Sequence, residues 1–369
     1  MQITQISHIK QRLLAKAAAV GLPLSGAFEL TPRCNFSCKM CYVHMTPEQM
    51  RPLGRERSAE EWIRLAEEAH SAGMTFLLLT GGEPLLRQDF PRIYRAMAKM
   101  GLSISINSNG ALLTDSIREL FTEYPPANIN ITLYATSAEG YGALCGNKDA
   151  YERVLDSLKW LRQRNILVNL NATITPWNRD QLMGIEEFAR QGGYNLRLTT
   201  YCFPPVRRCG EDTPSRLTPE EAGKLRALDF AAQQGMEAVR KFATQLDVPP
   251  QDVEVRSLEC GDPMHCYAGR SQFWVSWHGG MTACGMLNAP VAQPFEEGFL
   301  PAWEQIRQET AKIRLCPDCV ECPERSTCIS CAAVISAETG RFDGKPEYMC
   351  KLNRAFREGI QSLAKESCE

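Results

Sequence analysis

Between residues 25 and about 200, short apolar runs of strand length alternate with longer stretches that have helical spacing. This is the βαβ signal of a parallel sheet. The runs predict strands over 26–31, 75–79, 102–107, 128–134, 166–174 and 194–200. Helices are predicted over 59–72, 88–100, 114–123, 149–164 and 178–191, and Ser58 with Glu61 reads as a capping box at the start of the first. Six such units fall short of the roughly 250 residues of a closed eight-fold barrel. The expected fold is therefore α/β, a partial (β/α)6 barrel. Its chemistry should lie at the C-terminal ends of the strands.

The flanks differ from this repeat. Residues 1–24 read as an amphipathic leader helix, because Lys10, Arg12 and Lys16 break an apolar stretch that superficially resembles a signal sequence. Residues 25–210 hold the barrel. Residues 211–258 form a bridge, with Pro219 in the first turn of a charged helical stretch that runs to Leu246 and ends before Pro249-Pro250. Residues 259–369 are rich in cysteine.

Composition narrows the function. The chain has 369 residues, and 41 Lys plus Arg against 43 acids give a net charge of −2, so there is no basic footprint for nucleic acid. No apolar run has membrane-spanning length, and a cytoplasmic location is expected. Of the 16 cysteines, six lie before residue 259 and ten after it. Clustered reduced thiols in such a chain read as metal sites rather than disulfides.

The first cluster, Cys34-x3-Cys38-x2-Cys41, follows the first predicted strand directly. Three thiolates can hold three irons of a 4Fe–4S cluster and leave the fourth open. A zinc knuckle completed by His44 is the alternative on spacing alone. The second strand runs into Thr80-Gly81-Gly82-Glu83-Pro84, a tight turn that lets backbone approach a ligand closely. The third strand ends in Asn107-Ser108-Asn109-Gly110, the fourth in Thr132-Leu133-Tyr134 and the fifth in Asn171-Ala172-Thr173.

A three-cysteine loop followed one strand later by Gly-Gly-Glu-Pro resembles the radical S-adenosylmethionine (radical SAM) superfamily. The resemblance implies that Cys34, Cys38 and Cys41 bind the catalytic cluster and that S-adenosylmethionine occupies its open iron, to be cleaved on reduction to a 5′-deoxyadenosyl radical. Gly81, Gly82, Glu83 and Pro84 would hold the methionine amine. Asn107, Ser108, Thr132 and Asn171 would meet the ribose and carboxylate. This chain has Met40 where the family usually carries an aromatic residue, and Thr132-Leu133-Tyr134-Ala135 where many relatives have Ser-Leu-Asp-Gly.

In the C-terminal module, Cys260 and Cys266 precede Gly279-x4-Cys284, then Cys319-x2-Cys322-x5-Cys328-x2-Cys331, and finally Cys350. Two Cys-x2-Cys units this close argue for zinc or iron–sulfur. The arrangement resembles the SPASM domain of radical SAM enzymes that modify peptides and proteins. It implies two auxiliary 4Fe–4S clusters, one on Cys260, Cys266, Cys284 and Cys331, the other on Cys319, Cys322, Cys328 and Cys350. Cys316 competes with Cys319. Cys145, Cys209 and Cys368 have no assigned role.

The function expected from the resemblance is hydrogen abstraction from a peptide or protein substrate to install an epimerised residue, a thioether or a carbon–carbon crosslink. The partners expected are an external donor of flavodoxin or ferredoxin type and a separate leader-binding protein, since only about 25 residues precede the first strand. An anaerobic sulfatase-maturing enzyme is the alternative, although that family has an aspartate where this chain has Gly285. An iron–sulfur electron-transfer protein is the reading from another class. Cys202, after the sixth strand, is the candidate hydrogen donor for an epimerase.

Overall fold

The computed structural model describes residues 3–207, 216–246 and 263–366. All six predicted strands are present: β1 (Ser25–Glu29), β2 (Phe76–Thr80), β3 (Ser103–Ser108), β4 (Asn128–Thr132), β5 (Val168–Thr173) and β6 (Asn195–Thr199). They pair in parallel and in sequence order. The capping box also forms, with the Ser58 hydroxyl taking the Glu61 N–H and the Glu61 carboxylate taking the Ser58 N–H, and it starts the helix Ala59–Ser71.

The period-two pattern decides which face is which. On β3, Ile104, Ile106 and Ser108 are buried while Ser105 and Asn107 are half-buried, and β4 repeats this with Ile129 and Ile131. The isoleucines share one core with Trp62, Ile93, Ile117, Leu158 and Ile185 of the intervening helices. Each such side chain contributes about 1.5–3 kcal/mol on full burial. The other face is polar. Asn195 donates to Asn169 (3.1 Å), Asn169 to Asn130 (2.9 Å) and Asn130 to Asn107 (2.7 Å), so an amide ladder crosses four strands. Asparagine is depleted in strands; here the register places each amide beside the next, and cross-strand bonds satisfy them.

The sheet is wider than six strands. Beyond β1 lie β7 (Gln272–Val275), parallel to it, and β8 (Met281–Thr282), antiparallel to β7. The cysteine-rich module thus supplies edge strands to the barrel, covering a β1 edge that would otherwise expose unpaired backbone. The N-terminal helix, Ile3–Val20, packs Leu14 and Ala17 with Leu24, Phe76 and Tyr267. Part of the bridge forms two helices, Pro219–Gln234 and Met236–Leu246, broken at Gly235. With the helix Glu347–Glu366 they enclose a second core of Ala227, Val239, Leu246, Phe356 and Ile360. No helix among the described residues is long and apolar enough to cross a membrane.

Candidate functional site

The Gly-Gly-Glu-Pro turn and the cysteine loop are one unit. The Gly82 N–H donates to the Thr31 carbonyl (2.7 Å) and the Glu83 N–H to the Arg33 carbonyl (2.9 Å), so the end of β2 grips the chain just before Cys34. Only glycine permits this approach. A Cβ at Gly81 would fall 2.3 Å from the Thr31 oxygen, and one at Gly82 would fall 2.4 Å from the Arg33 oxygen. Pro84 then opens a short 3-10 turn, Pro84–Leu86, capped by the Glu83 side chain.

Glu83 is fully buried, and its carboxylate faces the end of β3. It accepts from the Asn109 N–H (2.7 Å), from the Leu85 N–H (3.1 Å) and, on both oxygens, from the Ser108 hydroxyl (3.0 and 3.1 Å). Burial pushes its pKa up to about 7, against the pull of those bonds. Glu83 and Ser108, both expected to meet a cofactor, are thus occupied with each other. Asn107 is engaged in the amide ladder. Thr132 and Asn171 stand side by side in register, half-buried on the polar face.

Each thiol of the loop has hydrogen-bond donors. The Phe36 N–H (3.4 Å) and the Asn109 amide (3.6 Å) point at Cys34, and the His44 N–H (3.2 Å) at Cys41. Histidine 44 therefore meets Cys41 through its backbone. Burial pushes Cys34 up to about 12, and the Glu83 carboxylate and Cys41 add to this. Cys38 shares a proton with Cys145, which holds it well above the ordinary thiol value, while the Tyr134 phenol in reach of Cys38 works the other way. The loop backbone rests on the helix Ala138–Cys145, with the Ser37 N–H on the Cys145 carbonyl (3.1 Å) and the Lys39 N–H on that of Leu144 (3.1 Å). Donors aimed at sulfur stabilise thiolates and orient them, so the donor set fits an iron–sulfur cluster.

Cys202 is buried behind this loop, its thiol toward the carbonyls of Met40 (3.8 Å) and Phe203 (3.7 Å). Burial pushes it up to about 11. On the other side lies an interior ion pair. Arg207 donates twice to the fully buried Glu29 (3.2 and 2.8 Å), which also accepts from the Trp274 indole (3.2 Å). Cys284 adds its field to both Tyr42 and Arg207, so this pair stands between the cysteine loop and the C-terminal cysteines.

Those cysteines fall into two groups. Cys284 feels Cys331 and Cys266. Cys319 feels Cys316, Cys350 and Cys328, while Cys328 and Cys350 both feel Cys322. A cavity of ≈ 730 Å³ is lined by Cys266, Cys316, Cys319, Cys322, Cys328, Cys331 and Cys350. Among the described residues no three Cys, His, Asp or Glu side chains close on a single ion. A cubane sets each thiolate on a different iron, and thiols spread around a cavity suit it better than one zinc. Cys209, Cys260 and Cys368 lie outside the described residues.

Residues 28–189 match the model of the radical SAM superfamily. This segment is a radical SAM domain. The chain is also 25% identical over 339 residues to the AdoMet-dependent heme synthase of Methanosarcina barkeri, covering 88% of this chain and 95% of that protein. It is 25% identical over 282 residues to the sporulation killing factor maturation protein SkfB of Bacillus subtilis, covering 75% of this chain and 64% of that one. Among solved structures, Streptococcus suis SuiB bound to precursor peptide SuiA superposes with a TM-score of 0.65 at 15% identity, over 94% of this chain and 80% of that one. That likeness extends the shared fold beyond the radical SAM domain into the cysteine-rich module.

Cys145 escaped sequence reasoning, whereas Asn109 and Tyr134 fall in strand-end segments that the sequence singled out without showing what they meet. Asn109 sits one position past β3, where a capping role is the ordinary expectation. Tyr134 stands where relatives carry an aspartate, and that substitution was the one signal available. Cys145 reads as core material, and its meeting with Cys38 is a tertiary contact that no spacing encodes.

Proposed function

We propose that the chain is a radical SAM enzyme that abstracts a hydrogen atom from a peptide and so installs a post-translational modification. The observation that carries this reading is the backbone grip between Gly82–Glu83 and Thr31–Arg33, which joins the two motifs at the C-terminal ends of β1 and β2. Cys34, Cys38 and Cys41 would hold a 4Fe–4S cluster with one iron left for S-adenosylmethionine. When bound and reduced, that cluster supplies the electron that cleaves the sulfonium. The chain's own part is placement. Glu83 ties β2 to β3 through Ser108 and Asn109, and the bare backbone of Gly81–Gly82 lets a ligand approach. Thr132 and Asn171, side by side in register and half-buried on the polar face, would meet the cofactor's polar groups.

The two groups of C-terminal cysteines would hold two auxiliary 4Fe–4S clusters, with Cys260 completing the first. A flavodoxin- or ferredoxin-type donor would supply electrons, and a separate protein would present the leader. A peptide substrate is favoured because SkfB is named as a maturation protein and SuiB is seen with a precursor peptide. Gly285 lies under the Trp274 indole, where a Cβ would come within 2.7 Å, so no side chain there can serve as the base that a sulfatase-maturing enzyme uses.

Co-expression with short peptides encoded beside this chain tests the proposal. A crosslink appears as the loss of two hydrogens, and epimerisation appears as one deuterium taken from heavy water. A second reading rests on the match to 95% of the heme synthase. If the substrate is a tetrapyrrole, an added iron porphyrin will bind with a shifted Soret band and no peptide will change mass.

A further inference from the structure

The second group of C-terminal cysteines holds one thiol too many. Cys316, Cys319, Cys322, Cys328 and Cys350 line the same cavity, and a four-iron cluster takes four protein ligands. The surplus is local to one turn. The Cys319 N–H donates to the Cys316 carbonyl (3.0 Å), with Pro317 at the first position of the 3-10 turn Pro317–Cys319. That turn brings the side chains of residues three apart together, and both thiols line the cavity. Arg325 holds the turn in place by donating to the Cys319 carbonyl (3.2 Å).

Buried cysteine is ordinarily core material. Cys145 belongs to the main apolar cluster, although Cys38 lies beside it. Cys316 is only 3% exposed, yet it is no member of any apolar cluster among the described residues. It lines the cavity of the group together with Cys319. Cys322 lies three residues past the end of that turn.

We propose that Cys316 is a reserve ligand of this cluster, able to take the iron that Cys319 otherwise holds. This rests on the auxiliary clusters proposed above. In the exchange one iron–sulfur bond to Cys319 breaks and one to Cys316 forms. The Cys316 proton would pass to the released Cys319 thiolate, so charge and electron count would stay fixed and no oxidant would be needed.

The test compares iron content and soluble yield of the full-length enzyme after anaerobic reconstitution, with Cys322→Ala as the ligand that has no substitute. At four irons per cluster, wild type carries about 12 irons per chain. Cys319→Ala and Cys316→Ala each keep about 12 with wild-type yield, whereas Cys322→Ala and the double variant Cys316→Ala/Cys319→Ala fall to about 8 or lose solubility. The reduced Cys319→Ala protein also shows an altered electron paramagnetic resonance signal for one cluster, because a ligand has moved. Cys319→Ala that behaves like Cys322→Ala, in iron or in yield, overturns the inference alone, and so does a double variant that keeps all its iron. Wild type with only about 4 irons overturns the auxiliary clusters and this inference together.

Discussion

The Asn109 amide donates to the Asn35 side chain at 2.8 Å and leans on the Cys34 sulfur at 3.6 Å, which pins the cysteine loop to the end of β3. Its own backbone N–H meanwhile holds Glu83. One residue therefore joins the cysteine loop, the Gly-Gly-Glu-Pro turn and the third strand.

Asn109→Ala should loosen Cys34 without removing a cluster ligand. Losing these side-chain bonds costs about 1–2 kcal/mol. The catalytic cluster, deprived of a donor to sulfur, should become harder to reduce. We expect cleavage of S-adenosylmethionine at a fixed dithionite concentration to slow by roughly tenfold, equivalent to about 1.4 kcal/mol on the barrier, with iron content unchanged. An unaltered rate would show that Asn109 neither positions nor tunes Cys34.

The Glu29–Arg207 pair predicts a stability effect. Glu29→Gln leaves a buried guanidinium with no counter-charge, and breaking a buried pair in this way costs about 3–5 kcal/mol. Chemical denaturation should show the loss. Replacing both residues with apolar side chains of similar volume should recover most of it, and a single variant as stable as wild type would refute the account of this pair.

A carboxyl pair outside the site gives a pH signature. Burial, then the neighbouring Glu186, push Asp229 up to about 8, and the Gln233 amide bridges both (2.8 and 3.1 Å). The folded pKa is raised above the unfolded value, so the contribution is complete below about pH 4 and disappears as pH rises through about 8. Asp229→Asn should therefore raise Tm at pH 9 by about 1–3 °C and change little at pH 5. Equal effects at both pH values would contradict the raised Asp229 carboxyl.

Much of the barrel was legible because β3, β4, β5 and β6 alternate cleanly and one helix carries a capping box. Ser58 and Glu61 announce the start of one helix to the residue. What stayed hidden depends on distance in sequence. β7 is four residues of mixed polarity, and its place beside β1 comes from pairing Ser25 with Gln272. The helix Ala138–Cys145 contains Gly140 and Gly142, which mask its periodicity. At the site, the contacts between motif residues are set by the strand ends. Ser108 and Glu83 lie where the motif puts them, yet they bind each other, because the end of a parallel strand turns alternate side chains to opposite faces and only Asn109 reaches Cys34.

Cys202→Ala addresses the return of a hydrogen atom to substrate. Its thiol lies against the Met40 carbonyl inside the cysteine loop. If it is the donor, the variant should still cleave S-adenosylmethionine and take hydrogen from the peptide, yet release no epimerised product. Normal product from Cys202→Ala would leave the thiol as packing.

The most direct measurement is 5′-deoxyadenosine formed from S-adenosylmethionine by the reduced, reconstituted enzyme and by the triple variant Cys34→Ala/Cys38→Ala/Cys41→Ala. The account predicts steady formation by wild type and none by the triple variant, which should still carry about 8 irons at four per auxiliary cluster. Cleavage that survives loss of all three thiols, or a fully loaded wild type that forms no 5′-deoxyadenosine, would contradict it.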